Sequence, residues 1–201
     1  VVIGEIDAAA GESLADRITN TGGKAFAVPV DVSNAAQVTN LFEVGVAKSG
    51  RVDILVNNAC ALEGDTTLED LDEHSFDRTI AVCLKGPYLC TRCAIPLMKG
   101  QGGGSIVTIS SVNALFGFGH TAYTAAKGGL ISMMRLVAAE YGYAKIRSNI
   151  ICPGTIDTPL SMTTWRANPR AFEALLAMYP LGRIGTTTDV ANAALFLASD
   201  E

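Results

Sequence analysis

The chain has 201 residues, 49% of them hydrophobic, with 20 acidic and 15 basic side chains and a formal net charge of −5. That length suits one domain with a substantial core, and the scattered basic residues form no patch or aromatic–arginine stripe that would suit nucleic acid. No apolar run reaches the roughly 18 residues needed to span a membrane, and no signal peptide is visible. The five cysteines lack framework spacing and read as reduced thiols in a cytoplasm.

Apolar runs alternate with amphipathic stretches along the chain. Val1–Gly4 reads as a strand and Ala8–Thr21 as a helix ending at Gly22–Gly23, with Asp7 as its N-cap. Ala25–Val30 is the next strand, followed by a helix from about Asn34 to Lys48. The segment DILVNNA holds a continuous apolar strand, as expected of one buried on both faces. A long helix follows Leu68, in one piece or two. Gly100–Gly104 is a turn and SIVTIS a strand. A helix from about Thr121 to Tyr143 is apolar almost all round, which predicts burial. Arg147–Cys152 is a strand, then comes a long loop with Pro153, Pro159 and Pro169, and a last helix over Thr188–Ala198. This alternation predicts an α/β fold with a parallel, doubly wound sheet in a single domain.

The most informative feature lies on the helix after SIVTISSVN. Tyr123 and Lys127 are four residues apart in HTAYTAAKGGL, neighbours on one helix face. An ammonium beside a phenol favours the phenolate and lowers its pKa from about 10. Such a tyrosine can exchange a proton near neutral pH, as general acid–base catalysis requires. Ser111, before the helix, is placed to hydrogen-bond the same substrate oxygen. The pair alone is a weak signal, because tyrosine and lysine are common on helices.

With its surroundings the chain resembles the short-chain dehydrogenase/reductase family over essentially its whole length. VVIGEID looks like the end of the family's second strand, Asp31–Val32 like its adenine-contacting pair, and NNAC at Asn57–Cys60 like its NNAG. Ser111, Tyr123 and Lys127 match its catalytic residues, and PGTIDTP from Pro153 to Pro159 its nicotinamide loop. The resemblance implies a Rossmann-like fold lacking the family's first strand, its TGxxxGxG phosphate loop and its last strand. The chain therefore reads as an internal segment of a longer protein, and these residues on their own are expected to hold NAD poorly.

The resemblance further implies hydride transfer between NAD and a small-molecule alcohol or ketone. Tyr123 is the general acid/base, Ser111 polarises the substrate oxygen, and Lys127 also donates to the nicotinamide ribose. Glu5, Asp31, Asn58, Ser111 and Ile156 all fall just after predicted strands, where open parallel sheets bind ligands. Glu5 would accept from the adenosine ribose hydroxyls and repel a 2′-phosphate, favouring NAD over NADP. Asp31 and Val32 would bracket the adenine, although Asp31 also reads as a loop residue capping the next helix with Ser33 or Asn34. Asn58 and Ala59 would let the backbone pass close to the cofactor. Pro153, Gly154, Ile156 and Thr158 would hold the nicotinamide, with a turn before Pro159 as the other reading of Thr158. Family membership also implies a homodimer or homotetramer.

Two positions depart from the family pattern. Cys83 in AVCLKG stands where the family carries a relay asparagine, and Cys60 where NNAG has its glycine. Both keep open a catalytically weak, dinucleotide-binding regulator as an alternative to the enzyme. A 3-oxoacyl thioester reductase using NADPH is a further alternative. Cys90 and Cys93 form CxxC without a second ligand pair and read as small buried hydrophobes, so no metal site is expected. His120 and His74 read as exposed. Trp165, Met162, Leu160, Phe172 and Met178 belong either to an apolar substrate lid or to an ordinary short helix.

Overall fold

The computed structural model describes Val1–Glu201, the Thr164 side chain excepted. Strand β1 (Val2–Glu5) pairs in parallel with β2 (Phe26–Pro29) across helix α1 (Ala8–Asn20). Asp7 starts α1 as expected, its Oδ1 accepting from the Ala9 and Ala10 N–H groups. Gly11 lets α1 lie on the sheet, since a Cβ there would meet Ala27 Cβ at 3.1 Å. Helix α2 (Ala35–Ser49) begins at Asn34, whose Oδ1 accepts from Ala36 and Gln37, and ends at Gly50 in the left-handed region at φ 79°. Glycine takes that conformation without a Cβ penalty.

Strands β3 (Ile54–Asn57), β4 (Gly104–Ile109) and β5 (Ile146–Ile151) form a second parallel sheet in the order β3-β4-β5. Between β3 and β4 runs one long helical path: α3 (Glu73–Ile80), a π-helical turn over Ala81–Lys85, and α4 (Gly86–Gly100). The long helix expected after Leu68 is therefore in pieces and starts later. By length and composition Glu73–Gly100 is apolar enough to cross a membrane, although its sequence has no unbroken apolar run of that length. Its apolar side is taken up by the core. Ala94 and Met98 pack with Ile106, Met134, Val137 and Ile146, while Leu89 and Cys90 pack with Val30 and Val38. Burying aliphatic side chains of this size contributes roughly 1.5–3 kcal/mol each.

Helix α5 (Thr121–Tyr141) packs on β5 and follows β4 through a short 3-10 turn at Val112–Ala114. It is buried along one stripe, Ala122, Ala126, Leu130, Met134 and Val137, whereas Leu136 is 56% exposed. One side thus packs on the sheet, and the side carrying Leu136 is open in the single chain.

Two further expectations change. DILVNNA is not covered on both faces: Ile54 and Val56 are 49% and 47% exposed, because among the described residues no layer lies over that side and β3 pairs with β4 alone. The long loop after Cys152 is largely helical. It holds the short strands β6 (Ile156–Asp157) and β7 (Gly185–Thr186) and helices α6 (Pro159–Ala167) and α7 (Pro169–Leu176). Pro159 and Pro169 occupy first helical positions, where the missing N–H is harmless and the fixed φ suits a helix. Helix α8 (Thr187–Ala198) closes the chain, anchored where Arg147 donates to the Leu197, Ala198 and Ser199 carbonyls.

Candidate active site

The carboxyl ends of β1 to β5 open onto one cavity of about 600 Å³. Parallel strands deliver their following loops to one side of a sheet, so residues far apart in sequence meet there. Glu5 comes from β1; Asp31 and Val32 follow β2; Asn58 and Ala59 follow β3. Ser111 follows β4, Tyr123 and Lys127 come from α5, Pro153 and Gly154 follow β5, and Ile156 and Thr158 complete the wall. All of the residues singled out from the sequence as catalytic or cofactor-binding thus line a single space.

The chemistry of the Tyr–Lys pair differs from the sequence expectation. Lys127 is buried and its Nζ donates to the Ile109 carbonyl at 2.7 Å, lying 5.3 Å from the Tyr123 ring centroid. The ammonium is held at a backbone carbonyl rather than at the phenol oxygen. Burial therefore dominates and pushes the Tyr123 phenol up to about 12, against a lowering hydrogen bond from Ser111. The expected depression by Lys127 does not appear. Ser110 fixes the helix from behind, its Oγ donating to the Lys127 carbonyl at 2.8 Å.

At the opposite end, burial pushes the Asp31 carboxyl up, but hydrogen bonds from Ser33 and the Arg78 guanidinium outweigh it and hold it below the usual range. Oδ1 accepts from Ser33 N–H at 2.9 Å and Ser33 Oγ at 2.6 Å, and Oδ2 from Arg78 Nη1 at 3.0 Å. Asp31 therefore carries the loop-organising bonds of its second reading while still facing the cavity; the helix cap itself is Asn34. Glu5 Oε1 accepts from the Asp7 N–H at 3.1 Å, which turns it back over the start of α1. Thr158 makes a capping box with Ser161 at the head of α6, so its hydroxyl has a helix-starting task in addition to its place on the wall. A Cβ at Gly154 would come within 2.9 Å of the Tyr179 hydroxyl, which accepts from the Thr155 N–H at 2.8 Å.

Several residues escaped the sequence reading. Asp65 is 8% exposed and its carboxylate accepts from the Ala122 N–H at 3.1 Å and the Tyr123 N–H at 2.7 Å. It thereby caps α5 from a loop more than fifty residues away. No sequence pattern marks it; in the structure the residue before α5 is His120, at φ 55° with no side-chain cap, so the helix takes its cap from elsewhere. His120 is exposed, as expected, with Nδ1 at 3.2 Å from the Asp65 carbonyl oxygen and its ring edge-on to Tyr123. Arg78 on α3 also lines the cavity, which no local pattern signals. Asn57 Nδ2 donates to Thr108 Oγ1 and Thr91 Oγ1 at 3.1 and 3.3 Å, tying β3 to β4 and α4 beneath the cavity floor.

The two departures from the family pattern meet. Cys83 in the π turn is fully buried, and its Sγ lies 3.3 Å from the Ala61 nitrogen and 3.4 Å from the Ala61 oxygen. The thiol thus bridges the turn to the loop after β3, although thiols are weak hydrogen-bonding groups. Cys60 lies on that loop and lines the cavity. Cys90 is buried on α4, and among the described residues no three His, Cys, Asp or Glu side chains group as metal ligands.

Comparison with known proteins agrees with this architecture. The family model described as Enoyl-(Acyl carrier protein) reductase matches residues 1–201. The 3-oxoacyl-(acyl-carrier-protein) reductase of Thermotoga maritima is 38% identical over 202 residues, covering 100% of this chain and 80% of its own length. The 2-(R)-hydroxypropyl-CoM dehydrogenase of Xanthobacter autotrophicus is 37% identical over 183 residues, covering 89% and 72%. A 7α-hydroxysteroid dehydrogenase solved with NADH and 7-oxoglycochenodeoxycholic acid superposes with a TM-score of 0.93 at 33% identity, covering 99% of this chain and 77% of that one. The chain belongs to the short-chain dehydrogenase/reductase family, oxidoreductases that act on alcohol and ketone groups with NAD(P)(H).

Proposed function

We propose that the protein transfers a hydride between NAD(H) and a secondary alcohol or ketone. The observation that carries this reading is the shared cavity in which Ser111, Tyr123 and Lys127 face the strand-end residues. The donor set fits the nucleoside parts of a dinucleotide: carboxylates of Glu5 and Asp31 at one end, the Lys127 ammonium at the other. Glu5 and Asp31 would take the adenosine ribose and adenine, and Lys127, Ile156 and Thr158 the nicotinamide nucleoside. When bound, the nicotinamide supplies the hydride acceptor or donor.

The residues of this chain handle the proton. Ser111, whose Oγ accepts from the Asn113 N–H at 3.2 Å, shares the cavity wall with Tyr123 and would orient the substrate oxygen between the two hydroxyls. Tyr123 gives its proton to a carbonyl oxygen in reduction and takes one from the hydroxyl in oxidation. With its pKa up at about 12 the phenol is protonated at neutral pH and ready as an acid. Oxidation requires the phenolate, whose fraction grows about tenfold per pH unit below the pKa. The oxidation rate at saturating alcohol and NAD is therefore expected to climb between about pH 7 and 10, while ketone reduction stays level. Initial rates in both directions across that range check this; a flat oxidation profile excludes Tyr123 as the base.

Glu5 sets the cofactor preference in this reading. The one cavity-lining arginine, Arg78, is engaged by Asp31 instead of waiting for a 2′-phosphate. Glu5→Ser is expected to move the NAD-to-NADP ratio of kcat/KM toward NADP by about tenfold or more, equivalent to about 1.4 kcal/mol. Equal use of both cofactors by the unmodified protein would sink the assignment. Assembly as a homodimer or homotetramer belongs to the same proposal and is supported by the exposed Leu136 on α5.

A second reading, reduction of 3-oxoacyl thioesters, is favoured by the 38% identical Thermotoga relative of that name. A panel of secondary alcohols, ketones and 3-oxoacyl thioesters, run with both cofactors on the full-length protein, separates the two. Turnover of none of them would support the weak dinucleotide-binding regulator.

A further inference from the structure

Two thiols face each other in the wall of the cavity, outside the hydride chemistry. Cys60, on the loop after β3, is exposed and lines the cavity. Cys83, in the π turn, is buried behind it, with the two sulfurs 3.7 Å apart. Cys90, Cys93 and Cys152 have no sulfur at hydrogen-bonding distance, and burial pushes the Cys90 thiol up to about 12. Only the Cys60–Cys83 pair combines an approachable sulfur with a second one in contact.

We propose that Cys60 and Cys83 form a reversible oxidation site, converted to a disulfide by small peroxides and returned to thiols by low-molecular-weight dithiols. A disulfide bond is about 2.05 Å long, so the sulfurs must close by about 1.7 Å. They lie on separate elements, the loop after β3 and the π turn, and the exposed loop is the part that can yield. The surroundings also favour one negative charge on the pair. A hydrogen bond between the thiols pulls Cys83 down to about 6 and Cys60 up, and the Ala61 N–H and the Lys127 ammonium add to the lowering at Cys83. Thiolate is the reactive form, and the proton shared between the two sulfurs lets the charge resting on Cys83 pass to Cys60, the sulfur on the cavity wall.

The chemistry balances. The proton between the sulfurs passes to Cys83 as the Cys60 sulfur attacks a peroxide oxygen. An S–O bond forms, the O–O bond breaks, and hydroxide leaves as water after taking a proton. Cys83 then loses its proton and attacks the Cys60 sulfenic acid; the S–S bond forms, the S–O bond breaks, and a second water leaves. Two thiols and one hydrogen peroxide give one disulfide and two waters. In reversal a dithiol attacks the disulfide, closes its own ring, and leaves both cysteines reduced.

Oxidation has a structural consequence. Cys83 Sγ holds the loop through the nitrogen and oxygen of Ala61, and a bond to Cys60 disturbs those contacts. That loop carries Asn58 and Ala59 into the cavity, so the disulfide is expected to weaken dinucleotide binding. This consequence, unlike the bond itself, rests on the function proposed above.

The test treats the full-length native protein with hydrogen peroxide, blocks remaining thiols with iodoacetamide, and maps digested peptides by mass. The expected result is a cross-linked pair containing Cys60 and Cys83, lighter by the mass of two hydrogens and undone by dithiothreitol. Binding of NAD, followed by calorimetry, is expected to weaken about tenfold in the oxidised protein and recover on reduction. Cys60→Ser is expected to show no cross-link and an NAD affinity that peroxide does not change, each sample compared with its own untreated control. Over-oxidised Cys60 without a cross-link, or a cross-link between other cysteines, overturns the proposal. Because the cross-link is read by mass, its absence is distinguishable from a failure of the hydride-transfer reading.

Discussion

Tyr123→Phe is expected to lower kcat by roughly 10²–10⁴-fold, the usual worth of general acid–base catalysis, while the NAD dissociation constant stays within a few-fold. The substitution removes one oxygen and keeps the ring that packs beside Lys127 and His120. The phenol is half-buried on the cavity wall it shares with Ser111, so its loss leaves Ser111 without a proton-transfer partner. Ser111 alone can still polarise a carbonyl, but a serine hydroxyl is a far weaker acid. Steady-state kinetics on the preferred alcohol, with NAD affinity from calorimetry, checks both halves. A variant that keeps most of its turnover would remove Tyr123 from the mechanism.

Asp65→Ala is expected to affect stability and turnover together. The carboxylate caps the first turn of α5 by accepting from Ala122 and Tyr123, and Ala122 is fully buried. Leaving the buried Ala122 N–H unpaired costs about 1–3 kcal/mol, the half-buried Tyr123 N–H less, and an anion at a helix N-terminus contributes a further 0.3–1 kcal/mol or so. A loss of about 2–4 kcal/mol follows, which for a protein of this size lowers Tm by roughly 5–15 °C. Because the frayed turn carries Tyr123, kcat is expected to fall about tenfold or more with a smaller change in KM. Asp65→Asn retains one acceptor oxygen and should lie between the two. Thermal unfolding and steady-state kinetics of both variants decide the matter; an Asp65→Ala protein with unchanged Tm would show that the carboxylate is not the cap.

The same residues show what is legible in a sequence. Tyr123 and Lys127 are joined by helical spacing, and Asp7 and Asn34 cap helices two and three residues downstream, so all four are readable from local pattern. Pro159 and Pro169 suit a helix start and a long loop alike; the caps before them, Thr158 with Ser161 and Asn168 accepting from the Ala171 N–H, are what mark helix starts.

Local pattern by itself determined the strand–helix alternation, hence the parallel α/β class, and placed the candidate residues at strand ends. Those properties depend on side-chain periodicity and on short-range hydrogen bonds, which are written into consecutive residues. Tertiary structure decided the state of the groups. It drew the Lys127 ammonium to the Ile109 carbonyl and left the Tyr123 phenol raised by burial. It brought Asp65 under Tyr123, set Arg78 against Asp31, and put Cys60 in contact with Cys83. Desolvation and charge pairing act over a few ångströms of space regardless of sequence separation, so the packed fold alone sets the protonation chemistry of this cavity.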